Sequence, residues 1–124
     1  MRQNISSGGE FEPVFGYSRA VRVGNQVHVS GTTARAPQDR EDAYTQSVAV
    51  LDIIEKALGE AGAAMSDVVR TVVYVTDMGD ADRVARAHGE RFGEIRPAST
   101  LVEVRALLKP QMKVEIEAYA VLAD

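Results

Sequence analysis

The clearest pattern along the chain is the alternation in MKVEIEAYA, residues 112–120. Met112, Val114, Ile116, Ala118 and Ala120 fall on one side, and Lys113, Glu115, Glu117 and Tyr119 on the other, because side chains on a strand switch faces at every residue. One face belongs to a core and the other carries two carboxylates, an amine and a phenol. Two shorter alternating runs, Ser18–Val23 and Gln26–Ser30, are joined by Gly24-Asn25 and predict a hairpin. The spacing then turns helical. Val48, Leu51, Ile54 and Leu58 recur behind the capping residue Asp42 until Gly59 and Gly62; Val84, His88 and Phe92 recur at every fourth position behind Asp80 until Pro97.

Between the helices, DVVRTVVYVTD, 67–77, is β-branched and almost continuously apolar, which predicts a central strand covered on both faces. STLVEVR, 99–105, and the stretch 111–122 add two more strands. The order β-β-α-β-α-β-β predicts an α+β domain, a mixed sheet with two helices on one face. Residues 1–13 are polar, Gly/Ser-rich and end in Pro13, and read as a flexible N-terminal arm ahead of a single domain over 14–124. Apolar residues on both faces of 67–77 predict that a second subunit covers the side the helices leave open.

Composition narrows the function. The chain has 124 residues, 45% of them hydrophobic, enough for one core and too few for two. Its net charge is -4 and it has no run of Lys or Arg, which argues against nucleic acid and anionic membrane as partners. There is no cysteine, hence no disulfide and no thiolate, a composition compatible with the cytoplasm, the location expected here. No apolar leader and no membrane-length apolar segment are visible. His28 and His88 fall on different elements without a carboxylate at zinc-like spacing, so neither a metal nor another cofactor is expected.

Several residues are candidates for chemistry. Glu117, flanked by Ile116 and Ala118 on an inner strand, is a carboxylate suited to relay a proton if partly desolvated; a solvated face is the alternative. Tyr17 presents a phenol just before the first strand or packs its ring at an edge. Ser30-Gly31-Thr32 offers a hydroxyl and backbone amides to a carbonyl or imine, although Ser30 lacks the context of a serine-hydrolase nucleophile. Arg105, on the Ser99, Leu101, Glu103 face, suits a carboxylate clamp or a pairing with a neighbouring glutamate. His88 and Arg96 divide between packing or helix-end roles and ligand contacts.

In order and spacing, GYSRAVRVGNQVHVSGTT, DVVRTVVYVTDMGD, RPASTLVEVRAL and MKVEIEAYAV resemble the reactive intermediate deaminase (Rid) family, also called RidA or YjgF-like and, under an older label, endoribonuclease L-PSP. The likeness runs from about Val14 to Leu122. It implies a chorismate-mutase-like fold, a barrel-like homotrimer with clefts between subunits, and cofactor-free hydrolysis of small-molecule enamines and imines such as 2-aminoacrylate to 2-oxo acids and ammonia. It further implies that Glu117 positions the hydrolytic water, with Tyr17, Ser30 and Gly31 in the cleft and Glu115 as a less critical partner.

One departure stands out. The archetypal tail reads V-E-V-A-R-L, with the arginine implied to grip the substrate carboxylate, whereas here Arg105 precedes Ala106. A one-residue step turns a strand side chain to the other face. The usual helix asparagine is matched by Ala85 and the frequent tail cysteine by Leu101. Alternatives are therefore a non-catalytic trimeric ligand-binding or chaperone-like homologue, or a pathway-specific deaminase of an imine or aminated dienoic acid. A ribonuclease fits the acidic charge least.

Overall fold

The computed structural model describes residues 1–123. Its elements are β1 (Arg2–Ile5), β2 (Ala20–Val23), β3 (Gln26–Thr32), α1 (Ala43–Glu60), β4 (Val68–Val75), α2 (Ala81–Phe92), β5 (Ala98–Glu103) and β6 (Val114–Val121). They form a six-stranded sheet in the order β1-β2-β3-β6-β4-β5, with only β4 and β5 parallel. This is the expected α+β, chorismate-mutase-like arrangement. No helix among the described residues is long and apolar enough to cross a membrane.

The alternation read in the last strand is realised in full. Val114, Ile116, Ala118 and Ala120 are buried, and Glu115, Glu117 and Tyr119 are half-exposed. The buried side meets α1, whose core stripe runs through Val50, Leu51, Ile54, Ala57 and Leu58; Val48 flanks this stripe. Asp42 caps α1 by accepting from the Thr45 amide at 2.8 Å, an interaction worth about 1 kcal/mol. Gly62, at φ +86, reverses the chain beyond the helix as the sequence requires. Gly24, at φ +59, opens the two-residue hairpin turn.

Three expectations are corrected. Residues 1–13 are not simply an arm: Arg2–Ile5 pairs with β2, and Glu12 is buried. Glu12 accepts from the hydroxyls of Ser6 and Ser7 and the amides of Ser7 and Gly9. Burial works to raise its carboxyl pKa, but these bonds outweigh burial and hold it below the usual range. Polar composition hid this order because the ordering contacts are polar.

The middle of the sheet is shared by β6 and β3, while β4 lies next to the edge. Only one face of β4 is covered within the chain: Thr71, Val73 and Val75 are buried, and Val72 and Tyr74 are half-exposed on the open side. Finally, β5 stops at Glu103, which turns to accept from the Met78 amide at 2.8 Å, so Arg105 lies in an exposed bend beyond the strand.

Gln46 joins the loops at one end of the sheet. It is fully buried; its amide nitrogen lies 3.0 Å from each of the carbonyls of Asp39, Glu41 and Gln111, and its Oε1 accepts from the Lys113 amide at 2.9 Å. Gln46→Leu keeps the volume but orphans these backbone groups. Urea denaturation is expected to show a loss of about 3 kcal/mol, several times that of an exposed substitution.

Candidate active site

The site begins with an irregularity in β3. Val29 pairs with Ala118 and Thr32 with Ile116, so Ser30 and Gly31 occupy the span that Glu117 alone fills on β6. Such a bulge re-aims the side chains around it. A Cβ on Gly31 would fall 2.1 Å from Glu115 Oε2, so the Glu115 carboxylate lies over the backbone where only glycine admits it.

Glu115 thereby lines an open cleft of about 420 Å³ with Tyr17, Arg19, Ser30 and Gly31, and exposed Phe15 and Leu108 form its apolar rim. Burial raises the Glu115 pKa, the charge of Glu117 adds to the rise, and Arg19 partly offsets it.

Arg19 is the cation of this cleft. It is buried, donates to the Gly31 carbonyl at 2.7 Å, to Thr32 Oγ1 at 2.9 Å and to the Tyr17 hydroxyl at 3.0 Å, and its guanidinium lies 5.3 Å from the Tyr17 ring centroid. Among the described residues none of the ion pairs involves it. Its charge acts on the Glu115 carboxyl across the cleft. Ser30 is committed to the backbone, its Oγ donating to the Ser18 carbonyl at 2.7 Å and its amide to the Arg19 carbonyl at 2.9 Å. It shapes the wall.

Glu117 is placed differently from Glu115. Tyr74 donates to its Oε2 at 2.6 Å and Tyr119 to its Oε1 at 2.5 Å, so both carboxylate oxygens are engaged. The bond to Glu117, with burial, pushes the Tyr74 phenol up to about 12. Glu117 is not part of the cleft wall. Of the two glutamates of β6, it is Glu115 that lines this cleft.

The other candidates lie apart from this cleft. His88 packs on the helix side of the sheet, its Nε2 2.8 Å from Thr71 Oγ1 and its ring 4.7 Å from that of Phe92, and burial lowers its pKa. Thr71 in turn donates to Ser99 Oγ at 2.7 Å. Arg96 is exposed at φ +55 after α2, its amide donating to the Phe92 carbonyl at 2.7 Å. Arg105 is the exposed bend residue already described. Tyr17, Ser30 and Gly31 are brought together; Arg19 was missed. The glycine inside an alternating strand was the available signal for the bulge and the close carboxylate.

The model of the family described as endoribonuclease L-PSP matches residues 8–122. Among solved structures, a Mycobacterium tuberculosis member of the highly conserved YjgF/YER057c/UK114 family superposes with a TM-score of 0.93 at 48% identity, covering 98% of this chain and 100% of that one. A RutC family protein of Pyrococcus abyssi is 37% identical over 113 residues, 88% of each chain. A protein of Acinetobacter baylyi named 3-aminoacrylate deaminase RutC is 32% identical over 126 residues, 96% of this chain and 97% of its own.

The raised Glu115 pKa fixes a sign. A carboxyl that binds its proton more tightly folded than unfolded contributes stability at low pH, and that contribution is lost as pH rises through the folded pKa. Glu115→Gln is therefore expected to melt higher than wild type at pH 7. The difference should vanish below about pH 4, where folded and unfolded carboxyls are both protonated, in thermal melts followed by circular dichroism.

Proposed function

Because this chain belongs to the endoribonuclease L-PSP family, whose members are also called YjgF or Rid proteins, we propose that it is a deaminase hydrolysing small enamines and imines to carbonyl compounds and ammonia. The observation that carries this reading is the Glu115 carboxyl, held over Gly31 with its pKa raised, in a cleft with Tyr17 and Arg19. The name of the Acinetobacter relative supports it, since 3-aminoacrylate is an enamine.

The chemistry asks for little more than such a group. Protonation of an enamine at carbon gives an iminium, whose carbon is already electrophilic. Water adds there and gives a proton to the carboxylate. That proton passes to the amino nitrogen of the carbinolamine, the C–N bond breaks as ammonia leaves, and the hydroxyl proton returns to the carboxylate as the C=O forms, restoring the acid that protonated the enamine carbon. A carboxyl with a raised pKa suits both transfers, because it holds a proton at higher pH than an ordinary glutamate and recovers it readily. Arg19 supplies the positive charge for a substrate carboxylate, a part that the sequence had offered to Arg105, and polarises the Tyr17 hydroxyl toward the cleft.

The open face of the sheet supports a homotrimer with its clefts at subunit boundaries. Val72, Val102 and Val121 share that face with Tyr74 and Glu117, and an apolar stripe of this kind is normally covered. Light scattering is expected to give three times the 13.4 kDa chain mass, and Val72→Glu should lower it.

The deciding assay follows 2-oxo acid release from 2-imino acids generated by an amino-acid oxidase. Wild type is expected to accelerate release, and Glu115→Gln to lose on the order of 10² to 10⁴ of that acceleration. Glu117→Gln should lose less than about tenfold, the scale of a positioning change rather than a lost proton carrier. The reverse order would assign the proton to Glu117.

A further inference from the structure

The front cleft, the one Glu115 lines, has Arg19 at its base, and the same guanidinium reaches the N-terminal segment. Its Nε donates to Ser7 Oγ at 3.3 Å, while Nη1 serves the Gly31 carbonyl and Thr32 Oγ1 and Nη2 serves the Tyr17 hydroxyl. All three nitrogens are engaged, so the bonds fix the plane of the guanidinium as well as its position.

Ser7 is half-buried and held from several sides. A hydroxyl has one proton to give and two lone pairs to offer. The proton goes to Glu12 Oε2 at 2.6 Å, and the lone pairs accept from Arg35 Nη2 at 2.6 Å and from Arg19 Nε at 3.3 Å. Arg35 Nη1 also donates to the Ser7 carbonyl at 2.9 Å. Burial works against the charge of Glu12, but its bonds from Ser6, Ser7 and Gly9 keep it ionised, and an ionised carboxylate only accepts. The Ser7 proton is thereby directed to Glu12 and the lone pairs toward the arginines.

Gly9 makes room for this cluster, since a Cβ there would lie 3.0 Å from Glu12 Oε2 and 3.6 Å from Arg35 Nη2. Among the described residues neither Glu12 nor Arg19 takes part in a direct ion pair. Contact between the buried carboxylate and the buried guanidinium runs through the Ser7 hydroxyl.

The geometry points to Ser7 as a positioning residue of the front cleft: its hydroxyl, directed by Glu12, holds Arg19 against the Gly31 backbone over which Glu115 lies. The consequence for turnover rests on the deaminase reading above; the positioning itself does not. Glu115 reports where Arg19 stands, because burial and the charge of Glu117 raise its pKa and Arg19 offsets part of the rise. Without the Ser7 hydroxyl, Arg19 Nε loses its acceptor, the guanidinium is less firmly held, and the offset shrinks.

Carbon-13 NMR titration of the Glu115 carboxyl in the full chain reads this directly. Ser7→Ala is expected to move the midpoint up by about 0.5 pH unit, a fraction of what full burial can do. Ser7→Thr, which restores a hydroxyl, should return it to the wild-type value. In an Arg19→Gln background Ser7→Ala should move nothing further, the mark of an effect carried by Arg19. Ser7→Thr keeps the test independent of whether Arg19→Gln folds. In the imine assay Ser7→Ala should raise KM about fivefold and change kcat by less than about threefold, as a weaker hold on the substrate carboxylate requires. A Glu115 midpoint unmoved by Ser7→Ala would overturn the proposal, as would an equal shift in Ser7→Thr or in the Arg19→Gln background. The Ser7→Ala shift in a protein whose wild type turns over no imine would uphold the positioning role and sink the deaminase reading instead.

Discussion

The close approach of the Glu115 carboxylate to the Gly31 backbone is the constraint on which the front cleft depends. It needs a residue without a Cβ, a bulge that puts that residue under the carboxylate, and a compensating charge. Arg19 meets the third need and holds the first two in place by donating to the Gly31 carbonyl and Thr32 Oγ1. Burying a guanidinium without a carboxylate partner is expensive, and here three oxygen acceptors in addition to Ser7 Oγ at 3.3 Å offset part of that cost. The residual charge is what an anionic ligand would neutralise.

The two glutamates of β6 show how one strand supports two environments. Both point to the open face, two residues apart, yet the bulge opposite them divides their surroundings. Glu117 accepts from the phenols of Tyr74 and Tyr119, one on each carboxylate oxygen. Glu115 has no such donors among the described hydrogen bonds and is destabilised as an anion by burial and by its neighbour's charge. A carboxyl perturbed by burial and a neighbouring charge, set in a cleft, is the kind of group that acid and base work calls for.

Strand and helix placement was legible because period-2 and period-3.6 burial act locally; the alternation of residues 112–120 and the Asp42 cap are examples. Which glutamate lines the front cleft was not legible in the same way. Glu115 and Glu117 have identical phase in the strand, and only the bulge on a partner strand more than eighty positions away separates them. The order of residues 2–12 was hidden for a different reason, since its ties are backbone pairing and hydrogen bonds to Glu12 rather than an apolar pattern. Arg105 was placed on a strand that was taken two residues too far, past the point where Glu103 leaves to cap Met78.

Arg19 also bears on what the cleft can hold. An arginine on a solvated strand end reaches outward and can follow ligands of different length, whereas Arg19 is pinned at the base of the cleft beneath Tyr17. In the proposed reaction a substrate carboxylate that met it would come within a few ångströms of Gly31, and the reacting carbon would then sit beside Glu115. Only a short separation between acid group and imine carbon satisfies both. The exposed side chains of Phe15 and Leu108 at the rim would leave the far end of such a substrate less restricted, so the proposed reaction would admit apolar bulk there while holding the reacting end to a compact geometry.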